Sequence, residues 1–349
     1  MSAELQRSLP PVRFALVGCG RMGRHHSERM QEDGRGAVVA LFDSEPSMAV
    51  QLRAQLWPAA RIAISFNELL ADQAVDAVII CTPTAEHYSQ ALACLNRGWH
   101  VLCEKPLASR RDQILELMQF SETAKSRNQA FSLGYQRRFA PVFVTLRREV
   151  LSGKWGAVRA IVSHNVENWQ STIGGTWRDD PQQNPGGFLT DAGSHKLDAL
   201  FYVTGLKPVE VFARSQSWGS QVEIVTSLSA LFTSEVISTD VTVTMDFIGN
   251  AQYLGEDLNI HCENADLMLR HEELWIGRDG HRERLPIDAI ESNPVSGILD
   301  TILEGKPDRS PPAAALPVFD MTQAILESGR IGTLVRLPPV ERSSIGTCY

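Results

Sequence analysis

A short apolar run, Phe14-Ala15-Leu16-Val17, stops at Gly18 and continues as Cys19-Gly20-Arg21-Met22-Gly23, the spacing G-x-G-x-x-G. Few patterns restrict a fold so closely. It asks for a strand, a tight turn and a helix whose N-terminus is open to a dinucleotide pyrophosphate. Gly18 permits the turn, Gly20 lets a ligand approach the backbone, and Gly23 lets the helix pack close to the strand. Glycine triplets also occur in ordinary turns, so context decides. Residues 21–31 contain no proline, and no glycine past Gly23. A second apolar run over 37–42 ends in Asp43, 20 residues after Gly23, where a carboxylate accepts hydrogen bonds from an adenosine ribose. The next residue is Ser44 rather than an arginine. A carboxylate repels a ribose 2′-phosphate, so NAD is expected and NADP is the weaker alternative.

From 11 to 135 short apolar runs alternate with helical stretches. Strands are expected at 12–17, 37–42, 77–81, 100–103 and 130–134, with a short extra one near 61–65 and a helix near 67–71. Such alternation means a parallel sheet covered by helices, an α/β Rossmann domain. Then the texture changes. A helix over 141–151 precedes β-rich runs at 157–169, 208–217, 226–232, 237–247 and 258–262, interrupted by one helix at 190–203 and followed by another near 318–328. These runs follow one another closely with turn signals between them, which predicts an α+β domain with a large, open, mostly antiparallel sheet. The expected division is 11–135 for the dinucleotide domain and 136–337 for the substrate and oligomerisation domain, with loose tails at 1–10 and 338–349.

The chain of 349 residues carries a net charge of −8, which argues against nucleic acid as a partner. No apolar run approaches the roughly 18 residues a membrane helix needs. Glu4 and Arg7 leave no room for a secretion signal's apolar region. The six cysteines form no C-x-x-C pair, so a reduced, cytoplasmic protein without a zinc site is expected.

Two stretches stand out as able to carry chemistry, and three others are weaker. Lys105 in Cys103-Glu104-Lys105-Pro106 stands at the carboxyl end of a parallel strand, the rim where ligands bind in open α/β sheets. Pro106 stiffens its turn, although a surface lysine at a strand end is the plain alternative. Asp191, His195 and Asp198 lie at i, i+4 and i+7, one face of a single regular helix, behind the twin glycines Gly186-Gly187. Histidine suits proton transfer near neutral pH, yet an amphipathic helix with a capping aspartate would look the same. Thr82, Pro83 and His87 follow the strand at 77–81, where a loop would border the cofactor. Arg137 and Arg138 offer one cation for a substrate cleft and one for an ion pair, without saying which. Trp177-Arg178 is either a binding element or packing.

With these residues in hand, the chain resembles the Gfo/Idh/MocA family, which includes glucose–fructose oxidoreductase and inositol 2-dehydrogenase. The resemblance runs from about 12 to 337. It rests on Gly18-Cys19-Gly20-Arg21-Met22-Gly23, Cys81-Thr82-Pro83, Glu104-Lys105-Pro106, Gly186-Gly187, the Asp191, His195, Asp198 set and the closing Glu327-Ser328-Gly329-Arg330-Ile331-Gly332. It implies a catalytic set of Lys105, Asp191 and His195, with His195 as general acid/base, Lys105 on the reacting oxygen and Asp191 orienting the site. It implies cofactor contacts from Gly18, Gly20, Arg21, Met22, Gly23, Asp43, Thr82, Pro83, His87, Glu104, Trp177 and Arg178, and substrate contacts from Arg137 and Asp198. The implied activity is NAD-dependent oxidation of a ring hydroxyl of a polyol or sugar, in a homodimer or homotetramer built across the C-terminal sheet. Two alternatives stand beside it. One is an NAD-dependent glycosidase working through transient oxidation. The other is a non-catalytic dinucleotide sensor, against which the presence of Lys105 and His195 counts. The loop over 165–185 matches no particular subfamily and leaves the substrate open.

Overall fold

A computed structural model describes residues 10–234 and 240–338. Within them the chain forms two compact units, one of 10–139 with 292–316 and one of 140–291 with 317–338. The first unit holds six parallel strands: β1 (Val12–Val17), β2 (Gly36–Phe42), β3 (Arg61–Ile62), β4 (Ala77–Ile80), β5 (His100–Cys103) and β6 (Phe131–Leu133). Their order is β3-β2-β1-β4-β5-β6, so the strand order reverses between β1 and β4, where such sheets bind ligands. Both faces are covered by α1 (Arg21–Asp33), α2 (Pro46–Leu56), α3 (Phe66–Leu70), α4 (Thr84–Arg97) and α5 (Arg111–Ser126). That is why β1 and β4 read as unbroken apolar runs: Phe14 to Val17 and Ala77 to Ile80 are all fully buried. Helix ends obey local chemistry. The Ser65 hydroxyl accepts the Glu68 N–H at the start of α3, and Gly34 closes α1 with φ +76°.

The second unit is built on nine strands: β7 (Val158–Asn168), β8 (Lys207–Gln216), β9 (Val225–Thr233), β10 (Asp240–Ile248), β11 (Asn250–Cys262), β12 (Asp266–Arg270), β13 (Glu273–Arg278), β14 (His281–Leu285) and β15 (Val335–Arg336). Their order is β14-β13-β12-β11-β7-β10-β9-β8-β15. Every neighbouring pair is antiparallel except β7 with β10. The period of two holds on β10, where Val241, Val243, Met245 and Phe247 are buried while Asp240, Thr242 and Thr244 are exposed. The longer helices of this unit are α6 (Pro141–Leu151), α7 (Ser194–Thr204) and α9 (Ala315–Ile331), beside a single helical turn at Gln170–Ile173.

One helix, α8 (Pro294–Glu304), departs from the expected division. It lies within the stretch 136–337, but the chain returns to the first unit over 292–316. Val295, Ile298 and Leu299 are fully buried in one cluster with Val12, Phe14, Met30 and Leu102. Their i, i+3, i+4 spacing makes an apolar stripe that must be covered, and the first unit's core supplies the cover. Arg35 locks the join, donating to Asp33 (2.7 Å), Asp300 (2.7 Å) and Glu304 (3.1 Å). Burial works against the Asp33 charge. The Arg35 bonds outweigh it and hold the carboxyl below the usual range. The expected start of β10 at 237 and most of both expected tails lie outside the described residues.

Candidate active site

In the first unit the three glycines each meet a different constraint. Gly18 has φ +89°, and a Cβ there would lie 2.6 Å from the Cys81 carbonyl carbon. A Cβ on Gly23 would lie 2.1 Å from the Gly18 oxygen, so α1 reaches the turn only because that atom is missing. A Cβ on Gly20 would meet nothing within 4 Å. Gly20 also precedes α1 without any side-chain cap, which leaves first-turn N–H groups to a ligand. Asp43 closes the cradle. Its Oδ2 accepts the Cys19 N–H at 2.6 Å and its Oδ1 the Glu45 N–H at 2.8 Å. Burial and the Asp43 charge push the Cys19 thiol up to about 12, so it is inert. An open helix N-terminus, a bare glycine and a fixed carboxylate suit a dinucleotide. Arg21 is exposed and Met22 half-buried at its start.

The neighbouring rim follows the carboxyl ends of β4 and β5. Thr82 spends its hydroxyl on Gln90 Oε1 (2.7 Å), and Pro83 is exposed just before α4. His87 and Glu104, expected against the cofactor, are 1% and 6% exposed and brace the turn between them. The His87 ring nitrogens face two carbonyls, Nδ1 to Pro106 O at 2.7 Å and Nε2 to Thr82 O at 2.8 Å. Both contacts are hydrogen bonds only when both nitrogens carry protons. Burial pushes His87 the other way, below the usual histidine range, against the pull of the two carbonyls and of Glu104. Glu104 Oε1 pairs with His26 Nε2 at 2.7 Å, and its Oε2 accepts the Lys105 N–H at 3.2 Å. Burial opposes ionisation of Glu104. His26 and Lys105 prevail and hold its carboxyl below the usual range. Lys105 itself is half-buried. Nothing in the sequence singled out His26, because a histidine inside a helix carries no local signal. Arg137 is half-buried, whereas Arg138 is buried and donates to the Arg309 carbonyl at 3.1 Å.

In the second unit the segment carrying Asp191 is a π-helical turn, Leu189–Gly193, that runs into α7. The expected single regular helix is therefore corrected. A π turn holds an extra residue, so Asp191 sits on the wider turn just before α7 rather than within a regular helix. Such turns occur disproportionately at functional sites. Asp191 Oδ2 accepts Arg178 Nε–H at 2.8 Å and Trp169 Nε1–H at 3.2 Å. Arg178 also stacks over the Trp177 ring at 4.4 Å. Trp177 and Arg178 thus form one cluster with Asp191, and Trp169 is the member that sequence reasoning missed. His195 is half-buried and Asp198 is 0% exposed. Gly187 has φ +51°, and its missing Cβ admits the Glu223 carbonyl, which accepts the Phe188 N–H at 2.9 Å. A Cβ on Gly186 would meet the Thr190 hydroxyl and the Leu326 side chain, so the two glycines make room for different parts of this same unit.

Among the described residues no group of three or more His, Cys, Asp or Glu side chains is placed to hold a metal. Among the same residues no helix is long and apolar enough to cross a membrane.

Residues 12–135 match the family model described as an oxidoreductase family with an NAD-binding Rossmann fold, and residues 143–268 match the model of the GFO/IDH/MocA C-terminal domain. An inositol 2-dehydrogenase of Acidothermus cellulolyticus is 28% identical over 79% of this chain and 78% of its own length. A D-glucoside 3-dehydrogenase of Escherichia coli is 31% identical over 57% of this chain, which spans 56% of that relative. The crystal structure of an oxidoreductase domain protein from Kribbella flavida superposes with a TM-score of 0.84 at 20% identity, covering 95% of this chain and 100% of that one.

Proposed function

The chain belongs to the Gfo/Idh/MocA oxidoreductase family, with an NAD-binding Rossmann domain over 12–135, and we propose that it oxidises a ring hydroxyl of a cyclitol or sugar with Lys105, Asp191 and His195 as the catalytic set. The observation that carries the reading is Lys105 at the carboxyl end of β5 in that NAD-binding sheet, on a turn whose backbone N–H is held by buried Glu104. Bound NAD supplies the hydride acceptor. His195 takes the hydroxyl proton as the carbon gives up its hydride, so an alcohol becomes a ketone with atoms and charge balanced. Lys105 steadies the oxygen as negative charge grows on it. Asp191, held by Arg178 and Trp169, orients the imidazole. Arg137 contacts the polyol, and Asp198 supports the same face of α7 as His195. Asp43 gives the preference for NAD, since its charge at the end of β2 opposes a 2′-phosphate.

The test is NADH absorbance with a panel of inositols and pyranoses, NAD and NADP in parallel. Turnover with at least one of them is expected, and His195→Ala should lower it about 10²- to 10⁴-fold. A His195→Ala protein that keeps its rate within a few-fold overturns the assignment. Release of an aglycone without accumulating NADH points to the glycosidase alternative.

A further inference from the structure

We propose that His26 and His87 are positioning residues that grip the turn bearing Lys105 from its two sides, a proposal that rests on the role given to Lys105 above. The residue before Lys105 and the residue after it each end on a histidine. Before it, Glu104 Oε1 meets His26 Nε2 at 2.7 Å. After it, the Pro106 carbonyl meets His87 Nδ1 at 2.7 Å. The rings are 2% and 1% exposed, so neither is available to solvent. They come from different helices, His26 from α1 and His87 from α4. Gly134 leaves room for the same carboxylate, since a Cβ there would lie 2.6 Å from Glu104 Oε1.

The two grips have different origins, and that gives them a purpose beyond filling space. α1 begins at the glycine turn that takes the pyrophosphate. α4 follows Thr82-Pro83, and the other ring nitrogen of His87 lies 2.8 Å from the Thr82 carbonyl, so the ring donates to one of its two carbonyls and packs against the other. A line of close contacts therefore runs from each ligand-facing helix start to one flank of Lys105. Through these two lines a dinucleotide that orders α1 and the Thr82 loop also orders the lysine. A group that must meet a reacting oxygen within a few tenths of an ångström needs such bracing, because misplacement by about 1 Å costs about 100-fold in rate.

The experiment reads Lys105 directly, without relying on turnover. The full-length protein is treated with trace acetic anhydride with and without NADH, and acetylation of Lys105 is followed by mass spectrometry. His87→Leu should raise the Lys105 rate about 10-fold and lower kcat about 10- to 100-fold, with KM for the hydroxyl substrate little changed. NADH should slow Lys105 acetylation in the wild type and much less in this variant. His87→Gln keeps one donor and should recover most of both losses, and His26→Gln should behave like His87→Gln. Leu117→Ala, which loses a fully buried side chain on α5, should lower the melting temperature and leave Lys105 acetylation unchanged. If His87→Leu fails to bind NADH, His26→Leu decides on the same readout, with the same rise in Lys105 acetylation expected. Acetylation rates equal to wild type in the folded His87→Leu and His26→Leu variants overturn the proposal. Lys105→Met with undiminished turnover overturns the catalytic reading instead, and leaves the acetylation result standing.

Discussion

A methyl group added at Gly20 and one added at Gly23 probe different properties of the same turn. Gly20 has φ −72°, and a Cβ there touches nothing. Gly20→Ala should therefore keep its unfolding free energy within about 0.5 kcal/mol while losing NADH affinity. Gly23→Ala drives a Cβ to 2.1 Å from the Gly18 oxygen. It should lose both, with about 1–3 kcal/mol of stability gone. Urea unfolding and NADH fluorescence titration on each variant check the pair. Asp308 provides a pH test. Burial pushes its carboxyl up to about 6 from 3.8, against the Ser310 N–H it accepts at 2.9 Å. A raised carboxyl means the folded state keeps its proton longer than the unfolded state. Asp308 thus lowers stability as pH rises from 3.8 through 6, and the cost is complete above that window. Asp308→Asn should be more stable than wild type at pH 8 by up to about 3 kcal/mol, with the gap narrowing as pH falls toward 4, read from urea midpoints.

Among elements, legibility followed the strength of local signals. β1 and β5 are apolar except at Arg13 and His100, and α6 starts at Pro141, so all three were readable to the residue. β12 and β13 were missed because their connecting residues, His271 and Glu272, take φ of +47° and +65° without the glycine or asparagine that announces a hairpin. β14, His281–Leu285, has no apolar alternation to detect, although Asp279-Gly280 before it was a usable turn signal. The site divides the same way. Gly18, Gly23 and Asp43 were readable because backbone geometry demands them. The His26–Glu104 pair and the Trp169–Asp191 bond join residues far apart in sequence, which only folding brings together. The helix least expected in its place, α8, supplies the element-scale test. Arg35→Leu leaves Asp33 without its cation and Asp300 with Lys306 alone, and it should cost about 1–3 kcal/mol. It should also speed hydrogen exchange along Pro294–Glu304 before it affects α5.

At the scale of the molecule, the first unit is assembled from two stretches that are far apart along the chain. A piece ending at Phe139 lacks Val295, Ile298 and Leu299, three fully buried side chains of its core. It should retain helical far-ultraviolet circular dichroism but lose a cooperative melt and bind NADH weakly, if at all. Supplying residues 292–316 as a separate peptide should restore part of the melt. This arrangement also sets a schedule for the newborn chain. Ribosomes deliver about 5–20 residues each second, so the glycine turn emerges tens of seconds ahead of the helix that seals its sheet. Throughout that interval the nucleotide half must wait with an uncovered flank while every strand from β7 to β14 is being made. Its maturation is in effect timed by the synthesis of its neighbour, and a chaperone that shields Phe14 and Val12 early would have to let go only when residue 304 or so has appeared.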